Sequence, residues 1–194
     1  MPTPTPTPTT LLDAIRARRS VKELTDRPVS REQIEALIDA AVQAPNHRLT
    51  EPWRFYVLGP TARRAYGAAL GARKAKRVED PAAAAEVIRK TEEKHVALPA
   101  MLAVSVVVAE DPEIREEDFA ATWMAIENLS LAAVAMGLGT HLKTGAIMND
   151  PAARAAVGVP EAERIVATLE LGVPAAVPSP RARKPASSLT TWVP

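Results

Sequence analysis

The segment from Glu117 to Met136 limits the folds open to this chain more than any other stretch. Phe119, Trp123, Ile126, Leu129, Leu131, Val134 and Met136 recur along it so that a helix there is apolar on more than one face. Such a helix has to be buried, by its own domain or by a second subunit. A membrane is a poor alternative, since a span needs about 20 predominantly apolar residues and Glu127 and Asn128 interrupt this run. The segment therefore predicts the central helix of a domain, buried in a dimer. At 194 residues, 47% of them hydrophobic, the chain is long enough to enclose it in one core.

The remaining elements follow from local signals. Thr10 with Asp13 resembles a capping pair, and Leu11, Leu12 and Ile15 give a first helix one apolar stripe. Ser30 and Gln33 form a capping box ahead of Ile34, Leu37, Ile38, Ala41 and Val42, a second helix that ends by Pro45. A polar, Pro-containing loop then enters the short run Phe55 to Leu58, a strand candidate. Thr61 to Leu70 predicts a third helix, Gly71 to Asp80 an exposed charged connection, and Asp80-Pro81 the start of a helix reaching about Lys94. Met101 to Ala109 reads as a strand covered on both faces. After the central helix, Gly137 and Gly139 end it, a short helix runs from Asp150-Pro151 to near Gly158, and Arg164 to Leu171 is the last strand. The tail, 174–194, is rich in Pro, and its apolar tip predicts docking on another surface.

Composition excludes several chemistries. Lys and Arg number 24 against 23 Asp and Glu, so no overall field points to nucleic acid or an anionic membrane. Without cysteine there is no disulfide framework, thiolate nucleophile or iron–sulfur cluster, and His47, His95 and His141 are too scattered to suggest a metal site. Gly137-Leu138-Gly139 lacks the third glycine of a dinucleotide-binding turn, Lys143-Thr144 lacks the glycines of a phosphate loop, and there is no nucleophile elbow or His-Glu-x-x-His. Met1 to Thr10 alternates Thr and Pro, with neither a basic start nor an apolar core, and reads as a disordered leader on a cytoplasmic protein whose single domain is 11–194.

One local concentration of charge stands out. Arg16, Arg18, Arg19 and Lys22 surround Ser20 where the first helix runs out. Cations are stabilised at a helix C-terminus by the macrodipole, so a solvated basic face is one reading. The other is a cradle for one phosphate group, since guanidinium forks and a hydroxyl suit that anion.

The order of several segments favours the second reading. Arg18-Arg19-Ser20-Val21-Lys22, Pro28-Val29 before a capped helix, Ala40 to His47 and Glu51-Pro52-Trp53-Arg54-Phe55 together resemble the nitroreductase family of FMN-dependent oxidoreductases. The likeness continues through Met136 to Thr140, Lys143 to Ala146, Leu171 to Pro174 and Arg183-Lys184-Pro185, and is nearest to the small, minimal members of the family. Leu24 stands where many members have an aromatic, and Asn46, His47 and Glu51 replace the commoner Ser-x-x-Asn-x-Gln pattern.

The resemblance implies an α+β fold, a central, mainly antiparallel β-sheet flanked by helices, in an intertwined homodimer with FMN at the subunit interface and the tail docked on the partner subunit. It implies hydride transfer from NAD(P)H through FMN to an electron-poor acceptor such as a nitroaromatic or quinone. Arg18, Arg19 and Ser20 would hold the flavin phosphate, and Lys22 would lie near the pyrimidine edge, where a positive charge stabilises the reduced anion. Gln43 and His47 would reach the flavin, in this family often across the interface, and Leu142, Lys143 and Thr144 would face its ring. Arg181 and Arg183 occupy the place of a second phosphate contact. No catalytic residue is implied, because the cofactor carries the chemistry. The competing reading is a flavin-binding protein without turnover, a store or redox sensor.

Overall fold

The computed structural model describes residues 10–194. Except for Thr10, the predicted leader lies outside the described residues. Thr10 caps the first helix, α1 (Leu11–Ala17), by accepting from the amide of Asp13, and Ser30 and Gln33 form the expected capping box of α2 (Arg31–Ala41).

Among the described residues four strands make one antiparallel sheet in the order β1-β2-β4-β3. These are β1 (Trp53–Val57), β2 (Ala100–Val107), β3 (Gly139–Lys143) and β4 (Glu163–Gly172). β2 and β4 are central and buried along almost their whole length, which is why their sequences read as continuous apolar runs. On one face Leu102, Val104, Leu169 and Leu171 pack with Leu37 of α2 and with Ile126 and Leu129 of α5 (Pro112–Ala135). On the other, Met101, Ala103 and Ile165 meet Tyr66 of α3 (Pro60–Ala75) and Ala153 of α6 (Pro151–Val157). α4 (Pro81–Val96) packs on α3.

The α+β architecture with an antiparallel sheet is as expected. Three local differences have physical causes. α3 continues past Gly71 to Ala75, because this glycine serves a close helix crossing: a Cβ there would stand 2.8 Å from the Cα of Ile88 in α4. α5 starts at Pro112, since Asp111 caps it by accepting from the amides of Glu113 and Ile114. Gly139 to Lys143, where the sequence signals no strand, is an edge strand because Gly137, at a φ of 72°, ends α5 in the left-handed turn that suits glycine and sends the chain back along β4.

The central helix is buried on one side by its own domain, through Ala121, Ala125, Ile126, Leu129 and Ala133. Met124 and Met136 remain exposed, as do Leu11, Leu12 and Ile15 of α1. The tail runs from a bridge between Leu24 and Pro174 to an exposed tip in which Trp192 is 91% accessible, so among the described residues of one copy the tip docks on nothing.

Candidate functional site

The early and late cations meet. Arg16, Arg18, Arg19, Ser20 and Lys22 line a cleft of about 870 Å³ together with Arg181 and Arg183, and with Ser179, Glu127 and His141. Two backbone features bring the first group there. The amide of Val21 donates to the carbonyl of Thr140 at 2.9 Å, and Ser20 bridges Thr140 in parallel, so the segment after α1 runs as a short extra edge beside β3. The amide of Ala175 donates to the carbonyl of Glu23 at 2.9 Å, which turns the tail back over the same edge.

Not every cation faces the cleft freely. Nε of Arg18 donates to Oε1 of Glu127 at 3.0 Å. Arg19 folds back, donating from Nη1 to the carbonyls of Arg16 at 2.6 Å and Arg18 at 2.8 Å, and thereby covers the C-terminus of α1; its Nε is buried and has no partner among the described residues. Lys22, Arg181 and Arg183 carry no ion pair among the described residues. A group of cations with one orphaned guanidinium nitrogen and a hydroxyl suits a phosphate dianion.

A smaller cleft of about 280 Å³ shares Arg18, Ser20 and Glu127 with it and is lined further by Trp123, Ile126, Ser130, Thr140 and Leu142. Trp123 stands edge-on to Phe119, with ring centres 6.3 Å apart, and packs against the main core. The core role expected of it is thus real, but its exposed side also forms one wall of this slot. A cationic end joined to an aromatic and aliphatic slot matches a planar ring that carries a phosphorylated chain.

The other expected site residues lie elsewhere. Gln43, exposed just past α2, lines neither space, and His47 lines a third hollow with Pro45, Asn46, Glu117, Ala120, Ala121 and Met124. That loop is tied to α5: His47 Nδ1 meets Oε1 of Glu117 at 3.0 Å, Arg48 Nε donates to Oε2 of the same carboxylate at 3.2 Å, and Thr50 donates to Asp118. His47 and then Arg48 hold the Glu117 carboxyl below the usual range. Leu49 and Glu51 sit at φ of 50° and 44°, a left-handed backbone that costs a non-glycine residue roughly 1–2 kcal/mol each. The Glu51 side chain is exposed.

Of the β3 triplet, Leu142 faces the slot, Thr144 is exposed, and Lys143 turns to the opposite face of the sheet. There its ammonium donates to Oε1 of Glu170, while His141 Nδ1 lies 3.0 Å from Oε2 of the same carboxylate. Glu170 is 1% exposed. Burial alone would raise its pKa, but Lys143, then His141 and Lys94, hold it below the ordinary carboxylate range. Behind it the hydroxyls of Tyr66 and Thr168 and Nε2 of His95 are buried without a hydrogen-bond partner among the described residues. His95 donates from Nδ1 to the carbonyl of Thr91 at 2.7 Å, and burial pushes its pKa down.

Sequence patterns could not single out Trp123 as a slot wall, or Glu127, His141 and Glu170. Their placement depends on pairings between segments far apart in the chain, and only the register of β3 against β4 puts His141 opposite Glu170.

The nitroreductase family model matches residues 15–173. "Putative NAD(P)H nitroreductase YfhC" of Bacillus subtilis (strain 168) is 34% identical over 176 residues, covering 90% of each chain. Among solved structures, the nitroreductase-like family protein from Bacillus cereus superposes with a TM-score of 0.83 at 27% identity, over 97% of this chain and 98% of that one. The FMN and NADPH-dependent nitroreductase NfnB of a sphigopyxis sp. (strain HMH) shares the fold, with a TM-score of 0.77 at 19% identity over 95% of this chain and 99% of that one. The chain belongs to the nitroreductase family.

Proposed function

We propose that this protein is an FMN-dependent oxidoreductase that passes hydride from NAD(P)H to an electron-poor acceptor such as a nitroaromatic or quinone, donor and acceptor using the site in turn. The observation that carries this reading is that two clefts share the walls Arg18, Ser20 and Glu127, one of them lined further by Lys22, Arg181 and Arg183 and the other by Trp123 and Leu142, residues far apart in sequence. Bound FMN supplies the hydride-accepting and hydride-donating centre. The chain supplies the grip: Arg18, Lys22, Arg181 and Arg183 neutralise a phosphate, the Ser20 hydroxyl adds a hydrogen bond, and Arg19 fixes the α1 terminus that presents them. Trp123, Ile126 and Leu142 exclude water beside the ring. Because the Lys143 ammonium is engaged by Glu170, any contribution of Lys143 to the ring comes from its backbone.

Gln43 and His47 stand away from this space, and a homodimer is the arrangement that gives them a flavin to reach. The unpartnered Leu11, Leu12, Ile15 and Met124 and the exposed tail tip around Trp192 supply the apolar surface such a pairing covers. The test is the absorption spectrum of the purified protein before and after anaerobic NADPH or NADH. Yellow colour that bleaches and returns on adding a nitroaromatic supports the proposal. Colour that persists identifies a flavin store or sensor, and a protein that takes up no FMN contradicts both.

A further inference from the structure

His141 belongs to none of the segments that carry the family likeness to the phosphate cradle, yet it lines the cation cleft. Its two ring nitrogens have different surroundings. Nδ1 is 3.0 Å from Oε2 of Glu170, a carboxylate held on its other oxygen by Lys143 and therefore an acceptor. Nδ1 must then carry a hydrogen. Nε2 makes no hydrogen bond among the described residues and is not among the buried orphaned atoms, so it is open to a ligand. With its hydrogen on Nδ1, a neutral ring keeps a lone pair on Nε2 for whatever binds beside it, and the residue lines the cleft. A phosphate oxygen arriving there also offers lone pairs, and the two repel. Only when one further proton lies between them can Nε2 and the phosphate join, whichever of the two atoms holds it.

We infer that His141, oriented by Glu170, is an additional ligand of the phosphate in this cleft and makes phosphate binding take up a proton. This rests on the proposed FMN reading. Arg16, Arg18, Arg19, Lys22, Arg181 and Arg183 face the cleft around His141, with Glu127 as the one acid of its lining. From the other side, Glu170 is surrounded by Lys143, Lys94, Lys74 and His95. The consequence is a cofactor held more firmly as the surroundings acidify, through its phosphate and not through its ring.

The experiment compares FMN with riboflavin, which lacks the phosphate, and adds inorganic phosphate as a second probe. Dissociation constants are measured by fluorescence and calorimetry between about pH 7 and about pH 8.5, where a phosphate monoester stays largely dianionic. In the wild type the preference for FMN over riboflavin falls with rising pH, by up to about tenfold per unit for one linked proton, and calorimetry in two buffers of different ionisation enthalpy reports proton uptake with FMN only. His141→Gln weakens FMN and removes both the slope and the uptake. His141→Arg, permanently charged, keeps the preference at every pH. Circular dichroism confirms that each variant folds. Equal slopes and equal uptake in the wild type and His141→Gln overturn the inference while leaving the cofactor reading intact. If FMN does not bind, the cofactor reading fails, and the same pH comparison with inorganic phosphate, whose own ionisation is common to both proteins, decides the role of His141: a difference in slope between the wild type and His141→Gln upholds it, and equal slopes overturn it.

Discussion

Cγ2 of Val21 lies 2.8 Å from the point where a Cβ on Gly139 would stand, with Pro174 next to it at 3.1 Å. This close approach lets the Ser20 to Lys22 segment lie along β3 and the tail lie over both, which is the arrangement that assembles the cation cleft. Gly139→Ala must therefore move Val21 or β3. Overpacking of this kind costs about 1–3 kcal/mol. FMN affinity is expected to fall as well, since the displaced segment carries Ser20 and Lys22. Denaturant melts of the apoprotein and a flavin titration check the two effects, and a variant with unchanged affinity would show that the cradle does not depend on this contact.

Glu127 is half-exposed and competes with any anion for Arg18. Glu127→Gln removes a negative charge from the cleft and frees the Arg18 guanidinium, so FMN is expected to bind more tightly by about 2- to 5-fold, in line with an exposed ion pair worth up to about 1 kcal/mol. Riboflavin affinity should change little. Raising the ionic strength should shrink the difference.

Acid should weaken the fold in two stages. His95 is pushed below the ordinary imidazole range by burial, so its neutral form contributes stability above about pH 6.5 that is lost as the pH falls from there toward its folded value. Glu170, held below the carboxylate range, contributes stability that is full above about pH 4.3 and is lost as the pH falls further, through its folded pKa. Stability measured by denaturant at a series of pH values should therefore decline from near neutrality downward. Glu170→Gln should cost about 3 kcal/mol at neutral pH, because it leaves Lys143 without its buried partner, and should flatten the lower stage. A wild-type curve that is level from neutrality down to strongly acid conditions would contradict these assignments.

The helices and central strands were legible because their signals are local. The capping box of Ser30 and Gln33, the Asp-Pro starts at Asp80 and Asp150 and the apolar runs of β2 and β4 each announce an element within a few residues. Gly71 misled because glycine signals both a break and a close helix crossing, and only Ile88 in space distinguishes them. For the candidate site, the basic residues were visible as composition, and their family order suggested the two halves of one cradle. The aromatic wall of Trp123 and the His141–Glu170 pair were not legible, since the first doubles as core and the second exists only through the register of two strands. Gln43 and His47, placed by resemblance alone, line neither cleft within one copy of the chain, and reach a flavin only in the proposed homodimer.

The central claim is that the cations at 18–22 and 181–183 hold a flavin by its phosphate. Its most direct test is the ratio of the FMN to the riboflavin dissociation constant in the wild type and in the double variant Arg18→Ala/Arg183→Ala. Charge-assisted hydrogen bonds contribute about 1.5–3 kcal/mol each, so the wild type should favour FMN by on the order of 100-fold or more. The variant should lose most of that preference and keep its affinity for riboflavin. A wild type that binds the two flavins equally, or a double variant that retains the full preference for FMN, would contradict the account.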